Sequence, residues 1–437
     1  MHFLSADREL ARHSYYADTA QREASYPALQ GDADCDVAVV GGGLAGLSAA
    51  IALADKGFSV RLLEARQVGF GASGRNGGQA IHGLACDQNE IERQLGLAEA
   101  QRVFAMSVEA LSLIRARCAR FAIDCDWRDG YLGVASSAGK ARALLAGADH
   151  LANAYGYAMQ RIAAADLPRW INSPRYRAAV HDPRSGHLHP LKYTLGLARA
   201  AAGLGVTIHE QTLATDITPA TTLGGRTVLH TAHGRLSARQ VLLAGNAYLQ
   251  GLAPRLAGRI MPVGTYIVAS EPLGADQARQ LIPCGAAVCD NNFVLDYFRL
   301  SADHRMLFGG RVSYSTATPV DLTESLRSRM VQSFPQLAST AISHAWGGFV
   351  DISMNRAPDF GRLPDAPQVY YLQGFSGHGL ALTGLAGQLV AEAMAGDSQR
   401  FDVFARLRHR PFPGGRWLRT PALVLGMAWY RLKDALA

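Results

Sequence analysis

The sequence has few cysteines, and their spacing does not suit a metal site. Only six of the 437 residues are cysteine, and none forms a Cys-x-x-Cys pair. This spacing disfavours a zinc site and a disulfide framework, so we expect reduced thiols and a cytoplasmic protein. His187 and His189 are two residues apart and could share one face of a strand. Because no third ligand lies near them in the sequence, we expect no metal site.

Long apolar segments are also absent. Charged residues interrupt the N-terminus, so we expect no signal peptide. The apolar stretch at 421–430 is too short to span a membrane and is followed at once by Arg431 and Lys433. We expect a packed helix at 411–437, and an interfacial membrane anchor is the alternative.

Lysine is scarce, and the chain contains only four. The net charge of +7 is therefore carried by arginines, which are scattered along the chain. Nucleic-acid binding is disfavoured because no basic tract is interleaved with aromatic residues. The excess of positive charge suits an anionic cofactor or a small anionic substrate.

The strongest motif is a glycine turn between a short apolar strand and a helix of small residues. Gly41, Gly43 and Gly46 have the spacing that allows a tight turn, a close approach of the backbone to a pyrophosphate and close packing of the helix on a sheet. Glu64 ends the next strand about 20 residues further on, where a carboxylate binds a ribose 2′-hydroxyl. The pattern predicts FAD or NAD rather than NADP. A structural turn without a ligand is the alternative.

Two more glycine-rich segments indicate where the rest of a cofactor would lie. The loop at 69–79 contains five glycines and many donors. A second strand, glycine turn and helix follows at 369–395. The backbone N–H groups of 377–380 would begin that helix, where they suit the negative charge of a reduced flavin. A purely structural cap is the alternative.

The pattern of elements predicts an α/β protein. We expect a Rossmann-like FAD-binding domain with an inserted α+β substrate domain built on an antiparallel sheet. The FAD-binding domain is predicted at 31–125, 181–255 and 341–410. The substrate domain is predicted at 126–180 and 256–340, followed by the C-terminal helix at 411–437.

Four side chains are candidates for the substrate pocket. Tyr297 and Arg299 would share one strand face, where the arginine could bind a carboxylate; a surface ion pair with Asp296 or Asp303 is the alternative. Trp346 could form a wall of the pocket or belong to the core. His378 could donate a hydrogen bond to the flavin or cap its helix.

Taken together, these segments resemble the D-amino-acid oxidase superfamily of FAD-dependent amine oxidoreductases. The motifs that carry the resemblance are SYYA at 14–17, GFGASGRNGGQ at 69–79, GHLHP at 186–190, AGNAY at 244–248, LDYFRL at 295–300, GFSGHG at 374–379 and PFPGGR at 411–416. Within the superfamily, the chain is similar to bacterial enzymes that act on γ-glutamylated polyamines.

The glycine turns and the resemblance imply a set of cofactor contacts. They are Gly41, Gly43, Leu44, Ala45 and Gly46; Glu64 and Ala65; Ser73, Arg75, Asn76, Gly77, Gly78 and Gln79; Ala214; Ala244 and Gly245; and Gly377, His378, Gly379, Leu380 and Thr383. Related enzymes tether FAD through a late cysteine or a loop histidine. This chain has no cysteine after Cys289 and has glycines at 77 and 78, so noncovalent FAD is expected.

The reaction implied by the resemblance is oxidation of a terminal primary amine to an aldehyde. A hydride passes from the α-carbon to the flavin, water releases ammonia, and oxygen regenerates FAD with formation of hydrogen peroxide. The alternatives are an N-methyl amino acid such as sarcosine or a free polyamine as substrate, and a dehydrogenase that reduces a quinone. A FAD-binding redox regulator without turnover is the alternative outside enzymes.

Overall fold

The computed structural model describes residues 14–222, 224–249, 251–292, 295–313 and 321–413. The predicted C-terminal helix falls almost wholly on 414–437, which lie outside the described residues. Its first three residues, 411–413, are not helical.

Eleven helices are defined within the described part of the chain. They are Tyr15–Thr19 (α1), Leu44–Ala54 (α2), Gln88–Leu95 (α3), Leu97–Arg120 (α4), Ala138–Tyr155 (α5), Pro190–Gly203 (α6), Pro254–Ala257 (α7), Ala275–Leu281 (α8), Leu322–Ser333 (α9), Gly379–Met394 (α10) and Gln399–Ala405 (α11). Short 3-10 turns are Ala72–Gly74, Ala164–Arg169, Asn246–Tyr248 and Pro335–Leu337.

The first of two sheets has a parallel centre. Its strands are Ala33–Val40 (β1), Val60–Leu63 (β2), Thr207–His209 (β7), Asp216–Thr218 (β8), Thr227–His230 (β9), Arg235–Leu243 (β10), Asp359–Leu363 (β16) and Ala366–Gln373 (β17). The order is β16-β17-β10-β1-β2-β7, with β9 and β8 added beside β10. The four pairings from β17 to β7 are parallel, as in doubly wound folds.

The second sheet is mainly antiparallel. Its strands are Gln79–Ala80 (β3), Arg128–Ala135 (β4), Gln160–Ile162 (β5), Ala178–His187 (β6), Ile260–Ser270 (β11), Ala287–Asp290 (β12), Tyr297–Leu300 (β13), Met306–Ser313 (β14) and Ile342–Ser353 (β15). The order is β15-β11-β14-β13-β12-β4-β6-β3, with β5 beside β6. Only β12 and β4 are parallel among its described pairings.

The α/β class and the two glycine turns are confirmed, whereas the second sheet extends past two predicted boundaries. Strand β6 continues beyond 180 to His187, and β15 lies beyond 340 and ends at Ser353. Both strands pair with members of the second sheet. Neither strand has a pattern of apolar residues that identifies its partners, so the sequence alone does not assign them to a sheet. No helix in the described ranges is long and apolar enough to cross a membrane.

The helices that follow the two glycine turns pack directly on each other. Helix α2 follows β1, and α10 follows β17, which lies two strands away in the same sheet. A Cβ on Gly387 of α10 would lie 2.5 Å from Ala49 N and 2.8 Å from Ala45 O of α2. Ser48 of α2 also donates its hydroxyl to the carbonyl of Gly384. The two helix axes therefore approach at a distance that only glycine allows at Gly387.

Replacing Gly387 with alanine tests this contact. The added methyl group would force α10 away from α2, so we expect the free energy of unfolding to fall by about 1–3 kcal/mol. The matched control is Gly147→Ala, because Gly147 lies inside α5 with nothing within 4 Å of an added Cβ. That change should stabilise the protein by about 0.5–1 kcal/mol. Urea unfolding measures both variants, and equal effects would contradict the tight contact.

Candidate functional site

The first glycine turn is a cradle of bare backbone at the end of β1. Gly41 has a φ of +116°, and a Cβ there would lie 2.6 Å from Ala244 O. A Cβ on Gly46 would lie 2.0 Å from Gly41 O. Gly43 precedes α2 and has no side chain to cap it. The first N–H groups of α2 have no partner within the helix. Leu44 N donates to Ser73 Oγ, and the N–H groups that follow it, beginning at Ala45, can bind an anion.

Glu64 supports this turn from the end of β2. Its Oε2 accepts a hydrogen bond from Gly42 N at 2.7 Å, and its Oε1 accepts one from Arg66 N at 2.8 Å. Burial raises the pKa of this carboxyl. Each oxygen keeps a second lone pair, so the predicted ribose contact is compatible with these bonds and stays a prediction.

Four of the smaller predicted contacts surround the same sheet edge. Ala244 N donates to Val40 O at 2.8 Å, which places Ala244 and Gly245 beside the first turn. Ala214 is buried in the cluster that contains Val40, and Ala65 directly follows Glu64. The structure therefore brings these residues to one edge, although their contacts with a cofactor stay predictions.

The loop at 69–79 folds over the N-terminus of α2. Ser73 lies in the 3-10 turn and its Oγ accepts a hydrogen bond from Leu44 N at 2.9 Å. Asn76 donates through Nδ2 to Ala72 O and Ser73 O at 2.9 and 3.0 Å, and its Oδ1 accepts from Gly78 N at 2.8 Å. These bonds fix the shape of the loop without the help of regular structure.

Arg75 ties this loop to the second sheet. Its buried guanidinium donates to Gly347 O at 2.8 Å and to Tyr248 Oη at 3.2 Å. Trp346, in β15, donates its indole N–H to Arg75 O at 3.1 Å. Since the Trp346 side chain is only 1% exposed, it belongs to the core, which was the alternative to a pocket wall.

The alternative for Arg299, a surface ion pair with Asp296 or Asp303, does not hold. Arg299 is 4% exposed. Its Nε donates to Gly77 O at 2.8 Å, and its Nη2 donates to Leu188 O at 2.9 Å and Tyr16 Oη at 3.0 Å. With these N–H groups used by the protein, Arg299 does not present a bidentate face to a substrate carboxylate. Its role in this structure is to hold the loop.

Tyr297 and Gln79 complete the attachment of the loop to the second sheet. A Cβ on Gly77 would lie 2.8 Å from the Tyr297 ring. Gln79 Nε2 donates to Val288 O at 3.1 Å, and Gln79 Oε1 accepts from Cys289 Sγ at 2.7 Å. The residues at 77–79 therefore pass directly over β12 and β13, and their contacts with a cofactor stay predictions.

The second glycine turn leaves the N-terminus of α10 open. Gly377 has a φ of +83° and nothing within 4 Å of an added Cβ. His378 precedes Gly379 and Leu380, and its side chain makes no cap hydrogen bond. Instead, His378 Nε2 lies 3.0 Å from the carbonyl oxygen of His82. Burial lowers the pKa of His378 to about 4, so a neutral ring donates this bond.

These contacts agree with neither of the two roles considered for His378. It does not cap the helix, and its Nε2–H is used by His82 rather than left for a cofactor. Thr383, one turn into α10, lies with its hydroxyl 3.4 Å from Leu380 O. What remains for an anion at this end is the backbone of the helix N-terminus.

Asp351 is a site residue that sequence analysis missed. This buried residue of β15 accepts a hydrogen bond from Gly374 N, and its carbonyl accepts one from Ser376 N at 2.9 Å. Burial raises the pKa of Asp351 to about 7. Asp351 thus connects the second sheet to the second turn. No local signal in the sequence marks it, since its partners lie more than twenty residues away.

The two histidines considered as metal ligands have structural roles. His187 Nε2 lies 3.0 Å from Gly285 O. His189 caps α6 by accepting from Lys192 N at 3.2 Å, and its Nε2 lies 3.0 Å from Thr19 Oγ1. Among the described residues, no group of three potential ligands could hold a metal ion.

Known proteins with similar sequences are flavoenzymes and their relatives. The family model for DAO, described as FAD dependent oxidoreductase, matches residues 36–393. The gamma-glutamylputrescine oxidoreductase of Escherichia coli K12 is 42% identical over 97% of this chain and 98% of its own length. A probable oxidoreductase OrdL of Haemophilus influenzae is 39% identical over 96% of this chain and 97% of its own length.

Solved structures share the fold at low sequence identity. Glycine oxidase from Geobacillus kaustophilus has a TM-score of 0.72 at 23% identity and matches 86% of this chain and 99% of its own. L-proline dehydrogenase from P. horikoshii has a TM-score of 0.69 at 19% identity, over 85% of this chain and 96% of its own.

FAD fits the residues at both glycine turns. Side chains at Gly41 and Gly46 would collide with the backbone of the first cradle, and the residues that precede α2 and α10 do not cap these helices with their own side chains. Two open helix N-termini suit a pyrophosphate and an electron-rich ring. The chain therefore belongs to the DAO family of FAD-dependent oxidoreductases, and FAD is its cofactor.

Proposed function

We propose that this enzyme oxidises the terminal primary amine of a γ-glutamylated polyamine, such as γ-glutamylputrescine, to an aldehyde. Ammonia and hydrogen peroxide are the other products. The observation that carries the proposal is the 42% identity to gamma-glutamylputrescine oxidoreductase along nearly the whole of both chains. That match spans both glycine turns and both sheets.

The residues of the chain divide the work of holding the cofactor. The N-terminus of α2, with Ser73 and Glu64, would hold the pyrophosphate and ribose. The N-terminus of α10 would face the ring edge at which negative charge collects on reduction. When bound, FAD supplies the two-electron acceptor for the amine. The remaining loop contacts, through Arg75 and Arg299, would fix the position of the ring.

The hydrogen bonds that Arg75 and Arg299 make within the protein favour a substrate whose reacting end has no carboxylate. Arg75 donates to Gly347 O and Tyr248 Oη, and Arg299 donates to Gly77 O, Leu188 O and Tyr16 Oη. An N-methyl amino acid such as sarcosine carries its carboxylate on the reacting carbon and would need a free cation there. A primary amine at the end of a polyamine would not.

The electron acceptor and the cellular location stay predictions. Oxygen would give hydrogen peroxide, and a quinone would make the protein a dehydrogenase. Comparison of turnover with oxygen and with an artificial dye acceptor separates these two cases. The cytoplasmic location expected from the cysteine pattern is not tested by the fold.

Anaerobic bleaching of the flavin tests the substrate. γ-Glutamylputrescine should reduce the bound FAD faster than putrescine, spermidine or sarcosine do, and the reduction is followed as loss of the visible absorbance of the flavin. Ammonia and an aldehyde should then accumulate in equal amounts when an acceptor is added. Bleaching by sarcosine alone would overturn the polyamine assignment, and a flavin that no amine bleaches would favour the redox regulator.

Acid precipitation tests the mode of FAD attachment. The loop carries Gly77 and Gly78 and the chain has no cysteine after Cys289, so we expect noncovalent FAD. After precipitation with trichloroacetic acid, all of the yellow colour should be in the supernatant. Flavin fluorescence that stays with the denatured polypeptide on a gel would refute this expectation.

A further inference from the structure

His82 lies between the two segments that are expected to hold the flavin. It follows β3, which ends the loop at 69–79. Its carbonyl oxygen accepts a hydrogen bond from His378, the residue before α10, at 3.0 Å. The His82 side chain is 10% exposed, so its ring lies at the edge of the protein interior rather than deep within it.

A buried carboxylate orients the His82 ring. Asp182 is completely buried, and its Oδ2 lies 2.9 Å from His82 Nδ1. The same oxygen accepts hydrogen bonds from Tyr157 Oη at 2.7 Å and from Ser185 Oγ at 2.6 Å. Arg184 donates through Nε to the other oxygen at 3.1 Å.

These bonds hold Asp182 in its ionised form. Although burial opposes the charge, the hydrogen bonds from His82, Ser185 and Tyr157 lower its pKa well below the usual range. An ionised Asp182 accepts from Nδ1–H, which fixes the tautomer of a neutral His82. The lone pair is then on Nε2, which has no hydrogen-bond partner among the described residues.

Aromatic rings surround the same imidazole. The ring centroids of Tyr157, Phe104 and Tyr131 lie 4.8, 6.0 and 6.3 Å from that of His82. Such rings favour an organic cation, whether it is a substrate ammonium or an imidazolium. The titratable and charged groups around His82 are Asp182 and Arg184 on β6, Tyr131 on β4, Tyr157 after α5 and His378 before α10.

We propose that His82 is a catalytic residue that removes a proton from the ammonium group of the substrate, with Asp182 as its positioning residue. The proposal rests on the proposed amine oxidation. A primary alkylamine has a pKa near that of lysine, about 10.4, so it is almost wholly protonated at pH 7. An ammonium nitrogen has no lone pair to assist the loss of hydride from the neighbouring carbon.

The proton transfer balances as a single acid–base step. The N–H bond of the ammonium breaks, its electron pair stays on the amine nitrogen, and the proton forms a new bond to His82 Nε2. The imidazolium is stabilised by the negative charge of Asp182. The proton leaves to water after the product departs, which restores the neutral ring.

Substitution of His82 tests the proposal through the pH profile. His82→Asn should lower kcat/KM for the amine by about 10²–10³-fold at pH 7, and the loss should shrink as the pH approaches the pKa of the amine. Asp182→Asn should give an intermediate loss. The matched control is His150→Asn, because His150 pairs with Glu92 at 2.7 Å in another His–carboxylate pair at the surface; it should change kcat/KM less than twofold.

Binding supplies a readout that does not depend on turnover. An analogue without hydrogen on the α-carbon cannot be oxidised by hydride loss, and its binding is followed by the absorbance of the bound flavin. In the native enzyme its Kd should rise on acidification, by at most about tenfold per pH unit, because a ring at position 82 that already carries a proton cannot take one from the ammonium group. In His82→Asn the Kd should lack this rise, while His150→Asn should keep it.

Three results would overturn the proposal. One is a kcat/KM of His82→Asn within threefold of native at pH 7. Another is an equal loss at every pH, which would show that His82 only supports the fold. The third uses native enzyme, in case the variant fails to retain FAD, and compares the substrate with a β-fluorinated amine of lower pKa. If the acid limb of the kcat/KM profile shifts by the full difference in amine pKa, the limb reports the amine and not a group of the enzyme, and His82 is not the base. If no amine bleaches the native flavin, the proposed function fails instead.

Discussion

The close contact between α2 and α10 is the constraint on which the rest of the site depends. Gly387 lets the backbone of α10 pack against Ala45 and Ala49 of α2, and Ser48 bonds across the contact to Gly384. Each helix begins at a glycine turn. Because both helices are fixed on one sheet and on each other, the positive ends of their dipoles have a fixed separation and direction.

The second sheet reaches this site through a small number of buried polar contacts. Arg75 bonds to β15, Arg299 of β13 bonds to the loop at Gly77, and Asp351 of β15 bonds to the second turn. Buried polar groups of this kind are stable only when they are satisfied. The contacts therefore require the sheet, the loop and the turn to form together. The His82 side chain differs from these groups, because its Nε2 has no hydrogen-bond partner among the described residues.

The sequence predicts the turns well and the side-chain roles poorly, for a physical reason. Glycine spacing at 41–46 and 374–379 is a local signal. At these positions a Cβ would collide with nearby atoms, or a residue with a side chain would have to adopt a positive φ. Arg299 bonds to Gly77, more than two hundred residues away, and Asp182 bonds to His82, a hundred residues away. The sheet to which β6 and β15 belong also has no local signal in the sequence, because pairing is not encoded by period alone.

The affinity for FAD in the Gly387→Ala variant tests most directly whether the helix contact sets the cofactor site. Gly387 lies two turns inside α10, away from the turn itself, so a change in affinity must pass through the position of the helix. We expect the Kd for FAD, measured by fluorescence quenching of flavin on addition of apoprotein, to rise at least about tenfold, or about 1.4 kcal/mol, while Gly147→Ala leaves it unchanged. A folded Gly387→Ala variant that binds FAD with native affinity would show that the contact between α2 and α10 does not set the cofactor site.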